Sequence, residues 1–198
     1  MSLESDSPGG VRRILDDPVV IRALAHPLRI KLHSLIGRQG AMTAAQAARE
    51  LGISQALASH HLRQLAKYGF VEPAAGGNNR DRPWRITHTS MSLPPGATSV
   101  AGDLLEQVFA ERAIEHLVDW HQHRDDYDPR WREHSGVGQS LVYVTVEEYA
   151  ELHRAYDALI TPLVERRRLG DVAARPPDAR PVDLTLISVP VPPTASGG

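Results

Sequence analysis

The 198-residue sequence contains no cysteine. Disulfides, thiolate metal sites, iron–sulfur clusters and cysteine nucleophiles are therefore excluded. No apolar run approaches the roughly 18 residues that mark a membrane span. The opening MSLESDSPGG lacks the charged-then-apolar layout of a secretion signal. A soluble, cytoplasmic protein with no membrane partner is expected. No Gly-x-Ser-x-Gly elbow, phosphate-binding loop or His-Glu-x-x-His occurs, so no catalytic site is expected. No internal repeat is present. Lysine is scarce: Lys31 and Lys67 stand against 20 arginines. The bias runs through the whole chain, so genome composition explains it better than a site does.

What the sequence does contain is a charge asymmetry hidden by a net charge of −2. Residues 1–90 hold 12 Lys and Arg against 7 Asp and Glu, a net of +5. Residues 91–198 hold 10 against 17, a net of −7. A basic half joined to an acidic half implies that only the first meets a polyanion.

Punctuation by proline, glycine and hydroxyl residues divides the basic half into helices. Residues 17–25 (DPVVIRALA) start with Pro18 in the first turn. His26–Pro27 ends that helix and begins LRIKLHSLIGRQ, which carries Leu28, Leu32, Leu35 and Ile36 on one face. Thr43 is placed to cap AAQAAREL, and Gly52 to close it. Ser54 caps a longer helix from Gln55 to Tyr68, which Gly69 stops. Ala58, His61, Leu62 and Leu65 share its apolar face. A short helix, a turn containing glycine and a longer helix are the helix-turn-helix pattern. FVEPA and WRITH then flank the Gly/Asn-rich AGGNNRDRP, a hairpin that makes the unit a winged helix.

In this arrangement the second helix enters the major groove. Its side chains opposite the apolar stripe are Gln55, Ala56, Ser59, His60 and Arg63. Gln55 can pair with adenine, Ala56 can touch a thymine methyl, and Arg63 can reach guanine or phosphate. Thr43 and Ser54 sit at helix starts, which suit phosphate. Asn79, Arg80 and Arg82 lie on the wing, within reach of the backbone or minor groove. The blander alternative is a solvated polar face behind ordinary caps.

The stretch ALAHPLRIKLHSLI…MTAAQAARELGISQALASHHLRQLAKYGFVEPA…RPWRIT resembles the arsenic-repressor (ArsR/SmtB) family of winged-helix regulators over roughly residues 17–88. Ser54, Gln55, Ser59, His61, Leu62 and Gly69 match the family's motif position by position, while Phe70 stands where leucine is usual. The resemblance implies a homodimer that binds a palindromic operator on double-stranded DNA, mostly as a repressor. It also implies that residues 101–124 supply a dimerisation helix. Many such relatives sense metals through Asp-x-His, ten residues, then His-x-x-His/Glu. Here Asp103, His116 and Asp119 keep three positions, but Leu105 replaces a histidine. Zinc wants four ligands, or three and a water. No cofactor is therefore expected, and a zinc- or ligand-gated sensor stays as the alternative, beside a winged helix used only for protein contact.

The expected class is mainly α with small β (α+β). A disordered start (1–10) precedes the winged helix-turn-helix domain (11–90), a linker (91–100) and the long helix (101–124). A strand–helix–strand extension (125–190) and a flexible tail (191–198) follow. Leu104, Leu105, Val108, Ala113, Leu117 and Trp120 give the long helix one apolar stripe. SLVYVTV (140–146) and VDLTLISV (182–189) have strand composition. Between them Thr145 and Glu148 form a capping box for a helix over about 146–168, which Pro162 should kink or end. Tyr143, Tyr149, Tyr156 and Trp131 are candidates for core or for a ligand pocket whose effector is unknown.

Overall fold

The computed structural model describes residues 12–74, 82–93 and 99–192. The expected frayed start (1–10), the wing residues Asn79 and Arg80, and residues 193–198 of the tail lie outside the described residues. The chain runs β1 (Arg12–Ile14), α1 (Pro18–Leu24), α2 (Pro27–Gln39), α3 (Ala44–Leu51), α4 (Gln55–Lys67), β2 (Val71–Pro73), β3 (Trp84–Ile86), β4 (Ser90–Ser92) and α5 (Val100–His123). A short α6 (Pro129–Arg132) and a long α7 (Val146–Arg166) follow.

The local signals act as their chemistry dictates. Asp17 and His26 cap α1 and α2, each with proline in the first turn. Thr43 and Gln46 form a reciprocal capping box at α3, with bonds of 3.2 and 2.8 Å. Gly52 adopts φ 64°, the left-handed geometry that closes α3. At the end of α4, Gly69 has φ 72°; its N–H reaches the Ala66 carbonyl, and that of Phe70 reaches Leu65. This paired closure satisfies two orphan carbonyls and turns the chain into the wing. There β2 and β3 pair antiparallel, with Val71 opposite Ile86. Met42 adds a bridge to Trp84, which ties the wing to the start of α3.

One core unites these elements. Leu24, Leu32, Ile36, Leu62, Leu65, Phe70 and Leu105 are fully buried in it. α3 packs on α4, α2 on α4, and α1 on α5. Two features were not legible in the sequence. β1 and β4 form a parallel pair, with Arg13 opposite Met91. Residues 91 and 92, expected as linker, are therefore strand. Arg13 also donates to the Tyr68 carbonyl at 2.9 Å, and its guanidinium lies 4.6 Å from the centre of the Phe70 ring.

α5 departs from the single stripe expected of it. Ala101, Leu105 and Val108 are buried against α1. Leu104, Ile114 and Val118 are exposed on another side. The helix thus has one apolar face for its own core and a second that the described residues leave exposed. Farther on, the strands expected at 140–146 and 182–189 do not form: neither segment belongs to a ladder. α7 forms with the expected Thr145–Glu148 capping box but continues through Pro162 to Arg166. Pro162 and Ala158, whose carbonyl loses its partner, are both exposed. Water can therefore serve the carbonyl, and the helix need not end. The chain then returns to the core's edge. Gly170 N–H bonds the Gly37 carbonyl at 2.7 Å, and Arg175 donates to Gly37 and Arg38 carbonyls at the end of α2.

His33 is buried on α2, with its ring edge toward Phe70. Burial pushes its pKa down from 6.5 to about 4, and Arg112 and His88 act in the same direction. Below pH 6.5 the unfolded chain takes up a proton that the folded chain refuses. The contribution is complete above pH 6.5 and is lost as pH falls toward 4, about 3 kcal/mol at 1.36 kcal/mol per unit. Urea melts between pH 7.5 and 4.5 should show this decline, and His33→Leu should flatten it. Equal slopes in the two proteins would refute the assignment.

Candidate nucleic-acid interface

α4 is amphipathic in three dimensions as well as in sequence. Ala58, His61, Leu62 and Leu65 are buried. Ser54, Gln55, Ala56, His60 and Arg63 are exposed, and Ser59 lies half-buried on the flank. The structure thus presents the six expected residues of this segment along one side of the helix and its start. Thr43 is half-buried at the start of α3, and Arg82 is exposed on the wing. The Ser54 hydroxyl accepts the Leu57 N–H at 3.2 Å, and the Thr43 hydroxyl accepts that of Gln46. Capping uses an oxygen lone pair on each and leaves the O–H proton to donate, as a phosphate contact requires.

Lys67 was missed. It is exposed one turn beyond Arg63, so the cationic edge of α4 runs to its end. The i, i+4 spacing from Arg63 was the signal for it. Leu57 was also passed over, and is 41% exposed beside Ala56; an apolar side chain so placed is of the kind that can meet a thymine methyl.

Beneath this face lies a group of imidazoles. The His61 ring sits 4.7 Å from that of His26 and 5.3 Å from that of His60. His26 Nδ1 accepts the Leu28 N–H at 3.2 Å, which caps α2. Burial lowers the pKa of both His26 and His61, and nearby cationic groups add to it, Arg29 for both. His61 is core, as its place on the apolar stripe implied.

The metal candidates are not brought together within the chain. Asp103 and His116 sit 13 residues apart on one helix, about 20 Å at 1.5 Å per residue. His116 Nδ1 instead lies 2.7 Å from Asp183 Oδ2. Asp119 faces His123 at 3.2 Å. Among the described residues no group of three His, Cys, Asp or Glu is placed to hold a metal ion. Of the aromatic candidates, Tyr143 is wholly exposed, Tyr149 and Tyr156 both donate to the 184–188 segment, and none of the four lines the cavities of about 530 and 370 Å³.

A short helix, a turn, a longer helix with its polar side turned outward over an apolar base, and a wing make this part of the chain a winged helix-turn-helix domain. Residues 24–74 match the family model described as a helix-turn-helix domain. This part of the chain is similar in sequence to an ArsR-type regulator. It is 37% identical over 65 residues to the arsenic resistance transcriptional regulator ArsR1 of Pseudomonas putida, covering 32% of this chain and 51% of that protein. The chain spans about half the length of this curated relative. Among solved structures, it is similar to the homodimeric winged helix-turn-helix DNA-binding domain of Mb0332 from Mycobacterium bovis. That match has 25% identity and a TM-score of 0.31, and covers 53% of this chain and 82% of the other. The transcriptional repressor BigR from Xylella fastidiosa matches at 19% identity and a TM-score of 0.30, over 49% of this chain and 83% of its own. Overlaps this loose add nothing to the helix-turn-helix assignment, which rests on the match of residues 24–74 and on the chain's own elements. Among the described residues no helix is long and apolar enough to cross a membrane.

Proposed function

We propose that this chain is a DNA-binding transcriptional regulator, a cytoplasmic repressor that acts as a homodimer on a palindromic operator. The observation that carries the reading is the exposed row Gln55, Ala56, His60 and Arg63 on a helix whose opposite side is sealed into the core. Gln55 and Arg63 read base edges. Ser54, Thr43, Lys67 and Arg82 hold the phosphates. The outward face of α5, with Leu104, Ile114 and Val118, supplies a subunit seam that places two copies of α4 about 34 Å apart, one turn of DNA. No catalytic step enters this reading.

A gel-shift titration against the protein's own upstream DNA tests it, at 50 and 200 mM salt and with or without chelator. Binding that resists competitor DNA is expected. Six to ten phosphate contacts should cost about 10³–10⁵ in affinity between those salts. Weak binding that competitor removes, on this DNA and on sites selected from genomic fragments, would overturn the proposal. Loss of binding or of repression on chelation would return Asp103, His116 and Asp119 to consideration across two copies.

A further inference from the structure

We propose that residues 169–175 are a clasp that fixes the spacing of Thr43 and Arg82, so that DNA affinity follows the docking of the C-terminal arm (residues 125–192). The roles of Thr43 and Arg82 on phosphate rest on the functional reading above; the contacts of the clasp do not.

The end of α2 is closed from outside. A helix leaves its last four carbonyls without partners of its own. Gly40 N–H takes the Ile36 carbonyl at 2.8 Å. Gly170 N–H takes that of Gly37 at 2.7 Å, and Arg175 Nη2 adds a second bond to it at 2.9 Å. Arg175 Nη1 takes the Arg38 carbonyl. Two orphan groups of the winged helix are thus satisfied by the C-terminal arm.

The surfaces are shaped for close approach. Gly37 lies in the last turn of α2, where glycine costs a helix about 1 kcal/mol against alanine. A Cβ there would stand 3.4 Å from Leu169 Cβ and Cδ1 and from Ile86 Cδ1. Its absence lets the clasp and β3 meet over the helix backbone. A Cβ at Gly40 would stand 3.1 Å from Val172 Cγ2. Gly170 turns the clasp at φ 87°, and a Cβ on it would meet Ile86 Cγ1 at 3.5 Å.

These contacts fall at one end of a bridge whose other end carries the phosphate contacts. Met42 and Trp84 pair antiparallel and exchange backbone bonds of 3.1 and 2.8 Å. Gly40 precedes Met42 by two residues, and Ile86 follows Trp84 by two. Antiparallel pairing puts both at the end that the clasp touches. Thr43 follows Met42 directly, and Arg82 precedes Trp84 by two residues, so both lie toward the opposite end. Holding one end of so short a pairing sets the separation at the other. Contacts ordered before DNA arrives lower the cost of binding it.

The clasp is also built to open. No described residue after Val108 is buried, and Leu169 and Val172 remain 38% and 50% exposed when docked. So little burial puts the contact at the low end of local stability. Leu169 follows the last residue of α7 by three, so a movement of α7 reaches it directly. Release leaves the Gly37 and Arg38 carbonyls to water, which loosens the bridge without opening the core.

Full-length protein tests this. Exchange of the Gly170 amide reports the clasp without DNA, and should be slow in the wild type and fast in Arg175→Ala. The double substitution Gly37→Cys, Leu169→Cys supplies a lock: the Cβ separation of 3.4 Å is close to the roughly 3.5–4.5 Å of a disulfide, and no native cysteine competes. Oxidised, this protein should bind the upstream duplex of the gel-shift titration as the wild type does. Reduced, and likewise in Arg175→Ala, affinity should fall about tenfold, a usual size for changes that touch no ligand. Adding Arg82→Ala should weaken binding by the wild type and the locked protein but change Arg175→Ala little. A contact that merely stabilised the fold would give additive losses instead. Fast Gly170 exchange in the wild type, or equal affinity in the locked, reduced and Arg175→Ala proteins, would overturn the clasp and leave the reading helix standing. Additive losses with Arg82→Ala would overturn it as well. A wild type without sequence-specific binding would remove the functional reading and this inference together.

Discussion

Arg63→Ala should weaken operator binding by roughly thirtyfold to ten-thousandfold while leaving the melting temperature unchanged. Arg63 is exposed on α4 and lies four residues beyond Ser59 on its flank, with no hydrogen bond or ion pair among the described residues that its loss would strand. Its removal therefore acts on the bound state alone. A bidentate arginine–guanine contact is worth about 1–3 kcal/mol. A dimer makes it twice, so about 2–6 kcal/mol is lost, at 1.4 kcal/mol per tenfold. A base contact also predicts a pattern: affinity for the operator drops, while affinity for scrambled DNA drops little. A phosphate contact would lower both alike and reduce the salt slope by about one per contact. His60→Ala, next to Arg63 on the same side, should act in the same direction. Anisotropy titrations of both variants against operator and scrambled duplexes separate the cases. Wild-type affinity in both would show that the reading side lies elsewhere.

The reading helix was legible because its chemistry is local. Thr43, Gly52, Ser54 and Gly69 act through bonds three to five residues long, and their residue types announce them. Burial of Ala58, His61, Leu62 and Leu65 follows from a period of 3.6 alone. β1 and β4 had no such signal. Each has three residues, and their parallel pairing joins positions 78 apart, such as Arg13 and Met91. Arg13 was hidden for the same reason, since its partners Tyr68 and Phe70 lie at the far end of α4. The stripe on α5 misled in a different way. Leu104 and Leu105 are adjacent in sequence, so they point about 100° apart, and only Leu105 is core. Composition at 140–146 and 182–189 shows what would form a strand but not what pairs with it. Neither segment finds a ladder in the single chain.

Phe70→Ala should unfold most of the domain's margin, at a cost of about 3–5 kcal/mol against a usual total of 5–15. Phe70 has no exposed surface and is the largest of the fully buried side chains. It is also a joint. Its N–H closes α4 on the Leu65 carbonyl at 2.9 Å, and its carbonyl accepts the Thr87 N–H at 3.2 Å, just past β3. Its ring meets the Arg13 guanidinium from β1 and the edge of His33 from α2. Truncation removes the ring from all of these at once while leaving the backbone bonds in place. The void cannot collapse easily, because helix closure fixes the main chain on both sides. Phe70→Leu, which places here the residue usual in the ArsR family, should cost less than half as much by refilling most of the volume. It still loses the cation–π contact, which is worth about 0.5–2 kcal/mol. Denaturant melts give the stability ranking wild type, Phe70→Leu, Phe70→Ala. The Leu variant should keep its operator affinity, because the closure of α4 uses backbone groups that the substitution does not alter. A Phe70→Ala protein within 1 kcal/mol of wild type would mean that the ring is not the joint between reading helix, wing and β1.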